Sequence, residues 1–225
     1  MNKSIGTKNE SSLHRTLKFQ YTKPGGMTEV EVGDFIADGI NKDGEYIEVQ
    51  TGSFAPLEKK VRELASHSKV RIVHPISVKK IIQVYDKRKE LLYTRRSPLK
   101  GSLWDVFTAL VHAPKLPLIK NVVIEVVLAD ITEKRIKDGK GAWRRRGISI
   151  YDKELTAWHE STLLGKKADF LRFVPFEKNE EFTVNSLAEQ AGIKKETAQK
   201  ALYVLTKMKV VKRIGKKQRA WVYVR

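Results

Sequence analysis

Residues 35–51 read Phe35-Ile-Ala-Asp-Gly-Ile-Asn-Lys-Asp-Gly-Glu-Tyr-Ile-Glu-Val-Gln-Thr51, and this stretch decides the fold. It predicts two strands, Phe35–Ile40 and Tyr46–Gln50, separated by turn residues at Asn41–Gly44. A connection this short joins antiparallel neighbours. Apolar side chains lie in both strands, so the pair is expected to pack within a larger sheet.

The two strands carry the acidic and amide side chains that point to chemistry. Neighbouring strands lie about 4.8 Å apart, so Asp38 and Glu48 at matching positions can share one divalent cation. Gln50 is two residues beyond Glu48 and therefore points to the same face. Asp34 is an alternative to Asp38, although its place after Gly33 favours a role in the turn.

The flanking residues predict the elements around this pair. Thr7–Glu10 has a capping-box pattern and predicts a helix over about residues 8–20. A strand is predicted at Thr28–Val32, a helix at Pro56–Ala65 and a buried strand at Val70–Pro75. The resulting order is α-β-β-β-α-β, and a strand, helix, strand succession favours a parallel crossover.

This pattern resembles the PD-(D/E)XK, or restriction-endonuclease-like, nuclease superfamily, whose signature is an Asp and a Glu-x-Lys on consecutive strands. The resemblance implies that Asp38 and Glu48 are metal ligands for Mg²⁺ or Mn²⁺. It also implies that the third residue, here Gln50 where Lys is usual, positions the attacking water. Glu10 matches the extra acid that many members place on the first helix. The implied activity is that of a Mg²⁺-dependent endodeoxyribonuclease.

The whole chain also resembles one uncharacterised prokaryotic family with a Glu-x-Gln motif, for which no activity is established. The resemblance rests on Leu13-His14, Ile47–Thr51, Arg95–Pro98, Trp143–Gly147 and a C-terminal winged helix.

The middle of the chain is predicted to be a basic α+β region of uncertain fold. It follows a hairpin of Lys80–Tyr85 and Glu90–Tyr93. It contains a helix over about residues 102–112 and strands at Val122–Ala129 and Ile148–Tyr151. A helix-like stretch ends at Pro175. We therefore expect three domains: a nuclease-like domain at 1–94, the basic region at 95–174 and a DNA-binding domain at 175–225.

The last domain has the pattern of a helix-turn-helix followed by a basic hairpin, which resembles a winged helix. Gly192 supplies the positive φ of the turn, and the second helix begins near Lys195. Its exposed face predicts DNA contacts by Lys194, Lys195, Thr197, Gln199 and Lys200, with Lys216, Lys217 and Arg219 contacting phosphates from the hairpin. Further basic clusters are Arg95 with Arg96, and Arg144, Arg145 and Arg146 beside Trp143. Winged helices also bind proteins, and arginines can simply solvate a hairpin.

Composition sets the class of partner. The formal net charge is +18, yet residues 1–50 hold six Lys and Arg against eight Asp and Glu. An acidic segment within a basic chain is typical of a metal site beside a phosphate-binding surface. The absence of cysteine excludes thiolate zinc sites, iron–sulfur clusters and a Cys nucleophile. No apolar run reaches the length of a membrane span, so we expect a soluble, cytoplasmic protein that does not bind membranes.

These features predict a metal-dependent DNA nuclease, with DNA as the partner. The alternative is a catalytically inactive protein with a nuclease fold, which acts as a DNA-binding or regulatory protein. Gln50, at the position where the motif usually has Lys, favours this alternative. RNA binding is a third hypothesis, and a homodimer is compatible with the sequence. Ser53, Lys59 and Lys60 follow the motif and either contact phosphates or, for the two lysines, lie on an exposed helix face.

Overall fold

The computed structural model describes residues 10–225, which form a mixed α/β structure. The α-helices are α1 (Ser12–Thr22), α2 (Glu58–His67), α3 (Val106–Leu110), α4 (Val184–Gln190) and α5 (Lys195–Lys207). The strands are β1 (Met27–Val32), β2 (Phe35–Ile40), β3 (Tyr46–Val49), β4 (Val70–Tyr85), β5 (Leu91–Arg96), β6 (Val122–Lys137), β7 (Ile148–Leu164), β8 (Lys212–Lys217) and β9 (Ala220–Val224). Short 3₁₀ helices occupy Ala55–Leu57, Leu103–Asp105, Leu116–Leu118, Trp143–Arg145 and Lys167–Phe173.

Within residues 10–225, seven strands form one mixed sheet in the order β1-β2-β3-β4-β6-β7, and β5 pairs with β4. Strands β3, β4 and β6 run parallel, whereas the other pairs are antiparallel. One edge of β4 pairs first with β3, over Val70–Val73, and then with β5, over Ile81–Tyr85. The other edge of β4 pairs with β6 along its length. The remaining strands, β8 and β9, form a separate hairpin.

The predicted order α-β-β-β-α-β is observed as α1-β1-β2-β3-α2-β4. The predicted start of the first helix is wrong, because Ser11 is the N-cap and accepts the backbone N–H of His14 at 3.3 Å. Glu10 therefore precedes α1 and does not lie on it. The rest of the predicted capping box, Thr7–Asn9, lies outside the described residues.

Several predicted strands are too short. Val70–Pro75 and Lys80–Tyr85 belong to one strand, β4, which continues past Pro75 with a bulge between Ser77 and Lys79. The helix-like stretch predicted to end at Pro175 is observed as the 3₁₀ helix Lys167–Phe173, and the residues before it belong to β7, which continues from the predicted strand Ile148–Tyr151 to Leu164. The physical reason is long-range pairing, since β6 and β7 satisfy each other's backbone groups from end to end.

The middle region at 95–174 completes the sheet of the preceding residues. Strand β5 crosses the predicted boundary between residues 94 and 95, and β6 pairs with β4 from Val70↔Val122 to Tyr85↔Ile136. The predicted division between 1–94 and 95–174 is therefore not observed in the sheet.

Two apolar layers cover the sheet. On one face, α1 packs Leu13 and Leu17 against Ile47, Val49 and Val73. On the other face, a larger core takes side chains from α2, α3 and both C-terminal helices, including Val61, Leu64, Phe107, Leu110, Leu187, Ala201 and Val204. The C-terminal helices thus share a core with the sheet, and burial of so many large apolar side chains is the main stabilising contribution.

Beyond this core the sheet continues as a four-stranded extension, which we call the β-arm. It comprises residues 80–96, from β4 and β5, and residues 131–155, from β6 and β7. All six residues of β5 are exposed. In the described part of the chain, no helix has the length and apolar character needed to cross a membrane.

Candidate active site

Asp38 and Glu48 meet where the pairing of β2 with β3 ends. The backbone ladder between these strands consists of Gly39↔Ile47 and Ile40↔Tyr46. Beyond it, Asp38 Oδ2 accepts the backbone N–H of Val49 at 2.8 Å, and Glu48 Oε1 accepts the backbone N–H of Asp38 at 3.1 Å. Side-chain oxygens therefore replace the missing ladder bonds, and both carboxylates are held in the gap between the strands.

One basic side chain lies against each carboxylate, and the two come from different helices. From α1, His14 Nε2 lies 3.1 Å from Asp38 Oδ2. From α2, Lys60 Nζ lies 2.6 Å from Glu48 Oε1. Because α1 and α2 cover opposite faces of the sheet, the two acids are approached from both sides. The Glu48 side chain is only 3% exposed, so its ion pair with Lys60 is shielded from water.

This arrangement separates the pKa values of the two acids. Burial raises the pKa of Glu48, the charge of Asp38 adds to the effect, and Lys60 opposes it, which leaves a pKa of about 7. Burial also acts on Asp38, but His14, the Val49 N–H and Lys60 together lower its pKa. Burial disfavours the charged form of His14, yet the carboxylates of Asp38 and Glu10 raise its pKa. Two close carboxylates with divergent pKa values are typical of functional sites.

Glu10 is connected to the site through His14. Its Oε1 lies 2.5 Å from His14 Nδ1 and 2.9 Å from Lys18 Nζ, and Lys18 also pairs with Glu29 at 2.5 Å. Glu10 thus orients the imidazole that contacts Asp38, an outer-shell position in which a carboxylate fixes a ring. The extra acid expected from the resemblance is therefore engaged with His14 and Lys18.

The structure does not bring the side-chain amide of Gln50 to the two acids. Its Nε2 donates to the carbonyl oxygen of Ser53 at 2.5 Å, while its backbone oxygen is 2.5 Å from His74 Nδ1. Among the contacts of the described residues, none joins the Gln50 side chain to Asp38 or Glu48. The amide instead braces the loop that leaves β3. Asp34, the sequence alternative to Asp38, lies in the exposed turn between β1 and β2.

The donor atoms suit a divalent cation that keeps part of its water shell. Asp38 Oδ1 and Glu48 Oε2 take part in no hydrogen bond or ion pair found among residues 10–225. In the same range, no group of three or more His, Cys, Asp or Glu side chains is placed to hold a metal ion. Mg²⁺ commonly takes one or two carboxylates and completes its coordination with water and substrate phosphate. Two carboxylates with uncommitted oxygens fit that ion.

From the sequence, His14 had no role in the site, and Lys59 and Lys60 were expected either to contact phosphates or to lie on an exposed helix face. The exposed position is right for Lys59 and wrong for Lys60, whose side chain is 18% exposed. The available signal was helical spacing, since Lys60 is three residues after Leu57 and four before Leu64, both of which are buried. For His14, the signal was its position next to Leu13, at the edge of the inner face of α1.

A cleft of about 930 Å³ borders the loop that follows Gln50, and Asp38, Glu48 and Lys60 are not among its lining residues. One wall contains Thr51, Gly52 and Ser53, which directly follow Gln50. The lining of the cleft also includes Lys194 and Thr197 at the start of α5, together with Lys80, Lys100, Ser102, Thr108 and His112. The cleft therefore connects the loop after β3 with the C-terminal helices, and its charged side chains are mostly basic.

The helix face predicted to contact DNA is partly occupied. Lys200 is half-buried, and its Nζ donates to Thr108 Oγ1 of α3 at 3.1 Å in a contact at the surface. Lys194, Lys195 and Gln199 remain exposed. The helix is thus covered along the side that faces α3 and is accessible around its first turns.

The other predicted DNA contacts lie at three separate places. Lys216, Lys217 and Arg219 are exposed on the β8–β9 hairpin, where Lys217 pairs with Glu181 at 2.5 Å. Lys216 and Arg213 lie over the ring of Trp221. Arg95 and Arg96 are exposed at the end of β5, and Arg144, Arg145 and Arg146 lie in the β6–β7 turn.

Comparisons with known proteins place this arrangement in a family. The model for a domain of unknown function, DUF8091, matches residues 11–165, which include Asp38, Glu48 and Lys60. An uncharacterized protein of Treponema pallidum (strain Nichols) is 26% identical over 186 residues, covering 83% of this chain and 74% of that protein. No solved structure matches the chain. Because the family model spans more than half of its length, the protein belongs to the DUF8091 family.

Proposed function

We propose that the protein is a metal-dependent DNA nuclease of the PD-(D/E)XK type. The observation that carries the proposal is the convergence of Asp38 and Glu48 between two strand ends, with the ammonium of Lys60 on Glu48. In this proposal, Lys60 supplies from α2 the positive charge that the motif usually places two residues after the Glu. Gln50 then serves the loop that follows β3.

Each residue has a role set by its contacts. Asp38 and Glu48 would hold Mg²⁺ or Mn²⁺, and His14 would keep Asp38 in place. When bound, the metal polarises the scissile phosphate and favours ionisation of the attacking water. Lys60 stabilises the negative charge that develops on the phosphate oxygens, as positioned cations do in buried sites. The oxygen of the attacking water forms a bond to phosphorus as the bond from phosphorus to the leaving sugar oxygen breaks; the water releases a proton to solvent, and the leaving oxygen takes one from solvent.

The C-terminal elements support DNA as the substrate. We propose that α4, α5, β8 and β9 form a winged helix, whose element order they have. Lys216 and Arg219 on the hairpin would contact phosphates, while Lys194 contributes from the start of α5. Because α5 is packed against α3, contact through the hairpin and the cleft is favoured over deep insertion of α5 into a major groove. A DNA strand bound in the cleft would pass toward Thr51–Ser53.

The direct test is cleavage of plasmid and oligonucleotide DNA with Mg²⁺ or Mn²⁺. We expect cleavage that is lost in the Glu48→Ala and Asp38→Ala variants and retained in Asp34→Ala, a matched acid in the exposed turn nearby. The proposal fails if neither metal supports cleavage of duplex, branched or single-stranded DNA. It also fails if cleavage survives the Glu48→Ala substitution.

A second candidate function is favoured by the Gln50 side chain, which is engaged with Ser53 in place of the usual lysine. In this case the protein binds DNA without cleaving it. Titration calorimetry with Mn²⁺ separates the two functions. A nuclease gives binding heat that depends on Asp38 and Glu48, whereas an inactive protein gives none that depends on these acids. DNA binding without such heat supports the second function.

A further inference from the structure

The register of the sheet brings two hairpin turns together at the far end of the β-arm. Strands β4 and β6 are parallel neighbours, and Tyr85 pairs with Ile136. The β4–β5 turn (residues 86–90) and the β6–β7 turn with the strand residue on each side of it (residues 137–148) therefore begin side by side. We call these two turns the arm tip. They are separated in sequence by β5, α3 and β6, so their proximity depends on the tertiary structure.

The arm tip is strongly basic, and two of its three acids, Asp86 and Asp138, accept hydrogen bonds within the turns, while Glu90 is exposed. Seven of its basic side chains are exposed: Lys87, Arg88, Lys89, Lys137, Lys140, Arg144 and Arg146. None of them joins an ion pair found among residues 10–225. Asp86 Oδ1 accepts the backbone N–H groups of Arg88 and Glu90 at 2.8 and 2.9 Å. Asp138 Oδ1 accepts from the Lys140 N–H and the Ser149 hydroxyl, both at 2.9 Å. The acids thus shape the turns, while the cations face water.

Trp143 stands out from this basic surface. It is 83% exposed, and the guanidinium of Arg144 lies 6.0 Å from the centre of its ring. An indole left in water contributes no burial to folding, and its ring is open to a binding partner.

The turn holds the indole outward on a braced backbone. The Gly139 N–H donates to the Gly147 carbonyl at 2.8 Å, and Arg145 Nε donates to the Ile148 carbonyl at 3.2 Å. A Cβ on Gly141 would lie 2.0 Å from the same carbonyl oxygen, so the two limbs of the turn are in close contact. Such bracing lowers the entropy that the turn loses when it binds a partner.

We propose that the arm tip binds nucleic acid, with its cations on the phosphate backbone and Trp143 stacked on an unpaired base. The inference rests on the proposed function for its choice of DNA. Arginine favours this partner because its planar guanidinium matches phosphate geometry. In a continuous duplex both faces of each base are covered by neighbouring bases, whereas an unpaired base offers a face to the indole. The substrate class is therefore DNA that contains unpaired nucleotides, such as a bulge, a fork or a junction.

The test measures binding without metal, so it does not depend on cleavage. Fluorescence anisotropy in EDTA compares the full-length protein on a continuous duplex and on the same duplex with an internal bulge. We expect about tenfold tighter binding to the bulged DNA, the scale of one base stacked on an aromatic ring. Trp143→Ala abolishes the preference and Trp143→Phe retains part of it. Lys115→Ala, an exposed lysine outside the arm, changes neither affinity.

Removing charge gives an independent readout. The double variant Arg144→Ala/Arg146→Ala binds both DNAs more weakly. The slope of its log affinity against log salt concentration is lower by the amount expected for the loss of about two phosphate contacts. Equal binding to both DNAs by the parent protein, or a preference that survives Trp143→Ala, overturns the inference. So does binding of the arm to anionic phosphatidylserine vesicles, through Trp143, in place of bulged DNA.

The two proposals fail separately. A bulge preference that depends on Trp143 in a protein that cleaves no DNA supports the arm and contradicts the nuclease. Metal-dependent cleavage by a protein that shows no bulge preference supports the nuclease and contradicts the proposed role of the arm tip.

Discussion

Lys60 places its ammonium 2.6 Å from Oε1 of Glu48, across the boundary between helix α2 and strand β3. The same carboxylate oxygen accepts the backbone N–H of Asp38, so one atom links the lysine to both acids of the site. A cation is thus held beside the acids even though the Glu-x-Lys position is occupied by Gln50.

Lys60→Ala is expected to lower the cleavage rate on the order of 100-fold, the usual effect of removing one preorganised charge from a site. Mn²⁺ binding should persist, because the change removes a positive charge and leaves Asp38 and Glu48 intact. Single-turnover cleavage and calorimetry on the same protein measure the two effects. Lys59→Ala, an exposed neighbour on the same helix, is the control. A Lys60→Ala enzyme with the parental rate would contradict this role.

His14→Ala is expected to weaken Mn²⁺ binding about 10- to 100-fold, since residues that orient a metal ligand contribute on this scale. His14 contacts Asp38 and is itself held by Glu10. His14→Gln should restore part of the affinity by replacing one hydrogen bond. Calorimetry with Mn²⁺ gives the affinities, and thermal unfolding without metal shows whether each variant is folded. Unchanged affinity in a folded His14→Ala protein would exclude the positioning role.

Asp152→Asn tests a contact that ties β7 to the first turn of α1. Asp152 accepts the N–H of Ser12 at 2.8 Å and its hydroxyl at 2.7 Å. Partial burial opposes the charge, but these bonds lower the pKa of Asp152 below its ordinary value. A carboxylate with a lowered pKa in the folded state stabilises the protein above the pKa of the unfolded chain, and this contribution is lost as the pH falls through the folded value.

We therefore expect Asp152→Asn to lower the free energy of unfolding by about 1–2 kcal/mol near neutral pH. The difference in unfolding free energy between the variant and the parent should disappear at a pH well below about 4. There the carboxyl of Asp152 in the parent is protonated and therefore uncharged, like the amide of the variant. Urea unfolding at the two pH values measures it. An equal difference at both would show that the effect is not due to the charge.

Leu110→Ala tests whether the C-terminal helices are stabilised by the same core as the sheet. Leu110 of α3 is fully buried in the cluster that contains Ala201 and Val204 of α5. The substitution should cost about 3 kcal/mol. Hydrogen exchange is expected to show a matching loss of protection in α5 and in β6, because both depend on one core. Leu118→Ala, at a partly exposed position, should have a much smaller effect. Loss of protection in β6 alone would mean that α5 unfolds independently.

Local patterns in the chain were enough to predict much of this structure. The turn at Asn41–Gly44 and its two flanking strands follow from adjacent residues, and Gly192 has the positive φ, +61°, that its turn was predicted to need. The proximity of Asp38 and Glu48 follows as well, since a short turn determines which residues of a hairpin lie opposite each other.

Long-range contacts were not predictable in the same way. The residues near Lys60 and His14 in the sequence do not predict which acid each side chain contacts, because these contacts depend on how α1 and α2 pack on the sheet. The length of β4 past Pro75, and the strand at 152–164, depended on pairing with β6.

The amino-acid sequence alone was sufficient for the order of the first six elements, for the turns and for one pair of acids, because these depend on residues within a few positions of one another. The tertiary structure decided which cations neutralise those acids, how far α5 is covered and which turns share the arm tip. The physical reason is that packing and parallel pairing join segments tens of residues apart, and the free energy that selects those partners comes from surfaces that exist only in the folded chain.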